Sequence, residues 1–305
     1  VYISLLSLFF EWLDRKFVAR LQNRVGPRYA GPSGLLQPLA DLIKLLSKED
    51  IIPVATDEFL FTAMPIILAL LPVLAGIFIP FLGESSLVSL EGDLIIVLGL
   101  LGMYVVMVYM AGIAPPSRYS LLGAERAALM MVSFEIPMML SCLSIAMIKG
   151  SLTLSYIATN HAFDQSTIAI GLPAFIIFVL SAQAELERIP FDIPEAKTEI
   201  VAGWQVEYSS WRLAFIRFSM DVEHVVLAGL GAALFLGGGS GPSPQGLEWL
   251  LQPLYFLAKS IFMLFIFSLL KASFARVRID QVAGFCWRVL IPASLILLIV
   301  TRWVV

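Results

Sequence analysis

Runs of about 20 apolar residues recur along this 305-residue chain, and no other feature restricts its fold so tightly. That length lets an α-helix cross a hydrocarbon layer roughly 30 Å thick, and within the layer only structures that satisfy their own backbone polar groups can persist. Eight such runs lie near residues 1–13, 59–82, 94–114, 127–148, 166–184, 213–236, 253–271 and 285–305. With a mean hydropathy of +0.89 and 14% charged residues, the chain falls outside the soluble globular class. It reads as an all-α membrane protein of eight transmembrane helices, one polytopic domain over residues 1–305, with no visible internal repeat.

Basic residues orient the spans, because loops rich in Lys and Arg stay on the cytoplasmic side. Arg15, Lys16, Arg20, Arg24, Arg28, Lys44, Lys48, Arg118, Arg126, Arg188, Lys197, Arg212, Lys271, Arg276 and Arg278 fall on one set of connections, and the alternate set holds only Lys149. This places both termini on the outer side of the cytoplasmic membrane, with long cytoplasmic loops at about 14–58 and 185–212. The net charge of -3 comes with no basic face of the kind that binds nucleic acid, so no nucleic-acid partner is expected.

Redox cofactors find few ligands here. Cys142 and Cys286 both fall within apolar runs, where a thiol behaves as a small buried hydrophobe, and two thiols cannot hold a four-thiolate iron–sulfur cluster. His161 and His224 are the only histidines, too few for a haem or zinc site of the usual kind. The chain is therefore expected to hold no cofactor, and any electrons would move in a partner subunit.

The first cytoplasmic segment opens with the basic stretch 14–24 and passes through Gly26-Pro27 and Gly31-Pro32-Ser33-Gly34, which favour turns. Beyond them Leu35, Leu39, Leu42, Ile43 and Leu46 recur at helical spacing, with Asp41, Lys44 and Lys48 off that face. The pattern predicts a helix lying in the interface plane, either against lipid or as a shelf for a docked subunit. The Gly-rich stretch 237–246 reads as an outward connector without chemistry, since no strand precedes it and no Lys-Ser/Thr follows.

Acids appear where hydrocarbon should exclude them. Glu135 sits within the fourth run, and Pro137 frees a backbone carbonyl close to Ser133. Glu135 is either a proton carrier or one half of an ion pair with Arg126 or Lys259. In the sixth run Arg217, Asp221 and His224 share a helical face and suggest an Arg217–Asp221 pair, while Glu223 points elsewhere and finds a counter-ion in Lys259. Six acids lie between Glu185 and Glu207. Pro190 and Pro194 limit helix formation, and a helix after them would stack Glu195 on Glu199, two like charges that resist joint ionisation. Phe191, Ile193, Ile200, Val201 and Trp204 make this segment too apolar for water, so it is expected to fold back between the helices.

Three stretches resemble the H-type membrane subunit of respiratory complex I and its relatives in energy-converting hydrogenases. They are Asp14-Arg-Lys16 with Arg20-Leu-Gln-Asn-Arg-Val-Gly-Pro27 and 31–44; Gly123-Ala-Glu-Arg126 with Ser133-Phe-Glu135; and Pro190-Phe-Asp-Ile-Pro-Glu195 with Glu199-Ile-Val-Ala-Gly203 and Glu207-Tyr208. The resemblance implies a subunit joining a hydrophilic electron-transfer arm to an antiporter-like membrane arm. It implies that Glu135, Asp192, Glu195, Glu199 and Glu207 belong to a path from the arm's cavity to a central hydrophilic axis, to which Asp221, Glu223 and Lys259 are added from their positions in the spans. Arg20, Arg24, Arg28, Asp41 and Lys44 would position the docked arm.

Departures indicate the branch. Quinone-using members usually read Glu-Thr-Asn-Arg before Pro-Phe-Asp, and Leu186-Glu187 stands here in place of Thr-Asn; Lys197 replaces a usual acid, and Met220-Asp221 stands near a usual Glu-Tyr. The pattern is more similar to the archaeal membrane-bound hydrogenase or its sulfane sulfur reductase sister. The implied partners are hydrogenase-like large and small subunits and an iron–sulfur subunit, carrying iron–sulfur clusters and a [NiFe] site, together with small and antiporter-like membrane subunits and the lipid bilayer. The chain's two asparagines, Asn23 and Asn160, fit a thermophilic source.

Overall fold

A computed structural model describes residues 1–83, 86–160, 165–242, 244 and 247–304, without the side chains of 165–167 and 197–198. His161, Ser243, Gln245 and Gly246 lie outside the described residues, as does the side chain of Lys197. Every regular element among the described residues is helical: α1 (Tyr2–Leu21), α2 (Gln37–Leu46), α3 (Glu58–Ile77), α4 (Asp93–Ile113), α5 (Arg118–Lys149), α6 (Leu154–Thr159), α7 (Gln165–Glu185), α8 (Lys197–Ile200), α9 (Ser210–Phe235), α10 (Glu248–Ser273), α11 (Ile279–Phe285) and α12 (Ile291–Val304). A π-helical stretch, Cys286–Leu290, joins the last two into one span.

Seven helices among the described residues are long and apolar enough to cross a membrane. The run expected at the N-terminus is also helical, but α1 differs from the rest. Its second half carries Glu11, Asp14, Arg15, Lys16 and Arg20, so this part of α1 faces protein and water rather than lipid.

α9 is the pillar of the bundle. Its 18-residue apolar window is 78% buried, against 28% for the C-terminal span Ile279–Val304, and it packs against α1, α3 and α10. Small residues make this possible: Ala228, Gly229, Gly231, Ala232 and Ala233 are all buried, and such residues let neighbouring backbones approach closely in a membrane protein. Asp57 caps α3 by accepting from the amides of Phe59 and Leu60 at 3.1 and 3.2 Å.

The apolar acidic segment between α7 and α9 folds into the bundle, as its composition predicts. Trp204 is fully buried, and Phe191, Ile193 and Ile200 nearly so, whereas Val201 is exposed. Two glycines allow the fit. Gly123 on α5 meets the backbone of Gly203 and Trp204, and Gly203, at φ 60°, lies against the carbonyl of Pro194. A side chain at Gly203 has neither room nor a comfortable backbone conformation. Gly203→Ala is therefore expected to unseat the segment at a cost of about 1–3 kcal/mol, read as a lower unfolding temperature in detergent and faster proteolysis between 186 and 209.

Candidate functional site

The second half of α1, one side of α2, the 186–195 segment and the start of α9 surround a cavity of about 580 Å³. Thirteen of its 23 lining residues are ionisable, seven acids and six bases, a density that water or mutual pairing must support.

Asp14 anchors the wall. Its carboxylate is nearly buried and accepts from Arg188 Nη1 at 2.8 Å, Lys271 Nζ at 2.8 Å and Ser268 Oγ at 2.7 Å. One α1 acid thus ties the inserted segment to α10. Further along the wall Arg15 bridges Glu11 and Asp41, at 2.6 Å to the latter, and Asp221 on α9 lies beside Glu11. Trp211 and Arg212 bind Asp50, and Ser210 Oγ donates to the Lys48 carbonyl at 2.7 Å, latching the end of the first cytoplasmic loop to α9.

Glu187 stands between this cavity and the bundle interior. A left-handed backbone, φ 50°, turns the chain out of α7 there, and both carboxylate oxygens lie 3.2 Å from Trp204 Nε1. Burial foremost, with Glu195 and Asp192 nearby, pushes the Glu187 carboxyl up to about 8. A raised folded-state value means that Glu187 contributes stability fully present below its ordinary value and lost as pH rises through about 8. Protection of the 186–209 segment against hydrogen exchange is expected to fall progressively as pH rises from the ordinary carboxyl value to about 8, by the equivalent of a few kcal/mol in all, and to level off above that, and Glu187→Gln should flatten that dependence.

Deeper in, carboxyls follow one another. Glu185 is fully buried with neither oxygen hydrogen-bonded, and has Glu135 and Glu187 as electrostatic neighbours. Glu223 is buried beside Glu185, Glu187 and Tyr104, with one oxygen unpartnered. Half-buried Glu135 packs against Gly102 of α4. The series runs from the cavity through Glu187 to Glu185 and Glu223, and on to Glu135. Buried His224 lies near Asp14, Arg188 and Lys271, its Nε2 without a partner.

Several expected pairs are not formed. Glu195 does not stack on Glu199: it accepts from Gln205 Nε2 at 2.7 Å and meets Arg217 at 3.5 Å, while exposed Glu199 pairs with Arg126 at 2.6 Å. α8 is a single turn that begins only after Glu195, so no common helical face exists. The hydrogen bond to Arg126 draws the Glu199 carboxyl below its ordinary value. Arg217 accordingly does not pair with Asp221. Lys259 serves neither Glu223 nor Glu135; its ammonium donates to the carbonyls of Ser240 at 2.7 Å and Gly237 at 3.2 Å, in the connector before α10. The carbonyl freed by Pro137 is taken by Cys286, whose Sγ lies 2.9 Å from the Ser133 oxygen.

Asp192 and Glu195 line the cavity; Glu207 does not. Asp41 and Lys44 line it too, so they turn toward the interior as well as the surface. Arg20, Arg24 and Arg28 are exposed and form no ion pair among the described residues. Leu39, Ile43 and Leu46 are exposed along α2 as an interfacial helix requires, whereas Leu35, also exposed, precedes the helix, and Leu42 lines the cavity. Sequence reasoning misses Glu11, Asp14, Glu185, Glu187, Arg188 and Lys271 as site residues. The signal available for Glu185 and Glu187 is their place in the run of acids. Among the described residues no group of three or more His, Cys, Asp or Glu is arranged to hold a metal ion.

Known proteins match over the whole fold. A family model described as NADH dehydrogenase matches residues 1–302. The H subunit of NADH-quinone oxidoreductase from Dehalococcoides mccartyi is 37% identical over 99% of this chain and 83% of its own length. The same subunit from Thermomicrobium roseum is 38% identical over 95% and 89%, and the first H-type copy from Geobacter metallireducens 38% over 98% and 92%. These relatives are bacterial. With a family match that takes in the cavity and every carboxyl behind it, the chain belongs to the NADH dehydrogenase family, as one of its H-type multi-pass membrane subunits.

Proposed function

We propose that this chain is the membrane-anchoring and coupling subunit of an energy-converting redox complex of the membrane-bound hydrogenase or sulfane sulfur reductase type. It docks an iron–sulfur peripheral arm through exposed Arg20, Arg24 and Arg28 and links electron transfer to proton or sodium translocation. The observation that carries this reading is the charged cavity that leads into Glu187, Glu185 and Glu223. A buried carboxyl without a partner is costly unless it meets water or takes a proton, and a series of them suits proton exchange. Iron–sulfur clusters and the [NiFe] site belong to the partner subunits.

The wall chemistry favours a quinone-independent branch. A quinone needs an apolar slot with a few placed polar groups, and here ionisable residues outnumber apolar ones. Glu187, in place of the amide usual in quinone-using relatives, faces this cavity. A second reading, the quinone-site-forming subunit of an NADH- or other donor:quinone oxidoreductase, is favoured by the names of the relatives above.

Extraction of quinones from the purified complex separates the two. Turnover is expected to persist after extraction, with a nickel-ligating large subunit co-purifying in the hydrogenase case, or one lacking a thiol pair in the sulfur case. Loss of turnover, restored by added quinone, would establish the second reading instead.

A further inference from the structure

Trp204 aims a hydrogen-bond donor at Glu187 from a seat in which it cannot turn away. Its ring is fully buried. Ser120 Oγ on α5 lies 3.0 Å from the Trp204 carbonyl oxygen and 2.9 Å from that of Gly112 on α4, and donates to both, which fastens the residue to the two helices. Two glycines leave it room. A Cβ on Gly112 would crowd the Trp204 Cβ, and one on Gly123 would collide with its backbone nitrogen.

An indole N–H can only donate, and this one lies 3.2 Å from each Glu187 oxygen. Among the described residues these are the hydrogen bonds that the Glu187 side chain forms. Donation shared between two equivalent oxygens suits a carboxylate, since a protonated carboxyl carries its own hydrogen on one of them. Such a donor favours the charged form. The rest of the surroundings favour the proton. Glu187 is buried and faces Asp192 and Glu195 of its own segment, Glu185 at the end of α7, Glu223 and Arg217 of α9 and Tyr104 of α4. Arg217 is the one cation of that set, and it also meets Glu195.

We propose that Trp204 is a positioning residue for proton exchange, whose indole N–H keeps Glu187 able to give up its proton and so makes it the point where the cavity and the buried carboxyls exchange. The inference deepens the coupling role proposed above and rests on it for the consequence in transport. A Trp204 that only fills space would act through its rings and not through its nitrogen.

The test replaces Trp204 in the assembled complex by β-(3-benzothienyl)alanine, which keeps the shape of the side chain and puts sulfur where the N–H stood. The Glu187 carboxyl is followed by infrared titration, its band being the one that Glu187→Gln removes. A lost hydrogen bond to a charged group, at the long end of the distance range, should move the midpoint from about 8 upward by roughly one unit. The charged form at neutral pH then falls roughly tenfold. The pH at which ion uptake per electron is half its maximum should move in the same direction, and in the Glu187→Gln background the replacement should add nothing. Trp204→Phe also lacks the donor and should shift the midpoint alike; where it fails to fold, the benzothienyl variant decides. An unchanged midpoint in that folded variant would overturn the proposal, as would a shifted midpoint with an unshifted transport profile. A native complex that moves no ions would contradict the proposed function itself, and the midpoint alone would then decide whether the indole governs Glu187.

Discussion

Asp14→Leu is expected to destabilise the protein by about 3–5 kcal/mol, because it strands buried or half-buried cations that a single acid now neutralises. Arg188 and Lys271 each lie 2.8 Å from the same Asp14 oxygen, and Ser268 donates to the other. Without the carboxylate, two positive charges face each other at the join between the inserted segment and α10. The outcome should be loss of folded chain from the membrane and of the peripheral arm with it, measured as subunit yield and as unfolding temperature in detergent. Asp14→Asn keeps the shape but not the charge and should fall between. Adding Lys271→Met to Asp14→Leu should recover part of the loss, since the pair couples through direct contact. Equal stability of Asp14→Leu and the native chain would remove Asp14 from its place at the centre of the wall.

Glu185→Gln should act in the opposite sense, leaving the fold and removing the activity that the fold supports. The side chain has no hydrogen-bond partner to lose, so replacement by a neutral isostere costs little and relieves repulsion from Glu135 and Glu187. What disappears is a group able to take and release a proton. In reconstituted vesicles, ion uptake per electron is expected to drop at least roughly tenfold while electron transfer continues. Glu223→Gln should behave alike, because Glu223 occupies the same buried cluster. A subunit that merely anchors the arm would instead lose assembly or show no change.

The chain's helices are legible in its sequence because hydrophobic period and length report directly on burial in lipid. α2 is legible for the same reason, down to the exposure of Leu39, Ile43 and Leu46. The inward turn of the acidic segment also follows from Trp204 and Phe191, which water would not hold. Partner choice is harder. Asp14 is 174 residues from Arg188 and 257 from Lys271, and no local spacing announces contacts of that range. Lys259 lies on the expected span but at a different level from Glu223, since sequence gives a residue's helix without its depth relative to another. Glu195 and Glu199 would pair only on a longer helix than the single turn that forms. Glu185 and Glu187 are visible as acids, yet their neighbours on α5 and α9 arise only when the segment inserts. The N-terminal run reads as apolar to residue 13, and Glu11, which faces Asp221, shows how early its charged face begins.

Proton exchange by the carboxyls behind the cavity is the central event, and infrared difference spectroscopy of the working complex observes it directly. Turnover should produce protonated-carboxyl signals that shift with ¹³C-glutamate labelling and are lost from Glu185→Gln and Glu223→Gln. Turnover that pumps ions with no such signal, or with a signal both variants leave untouched, would contradict that role.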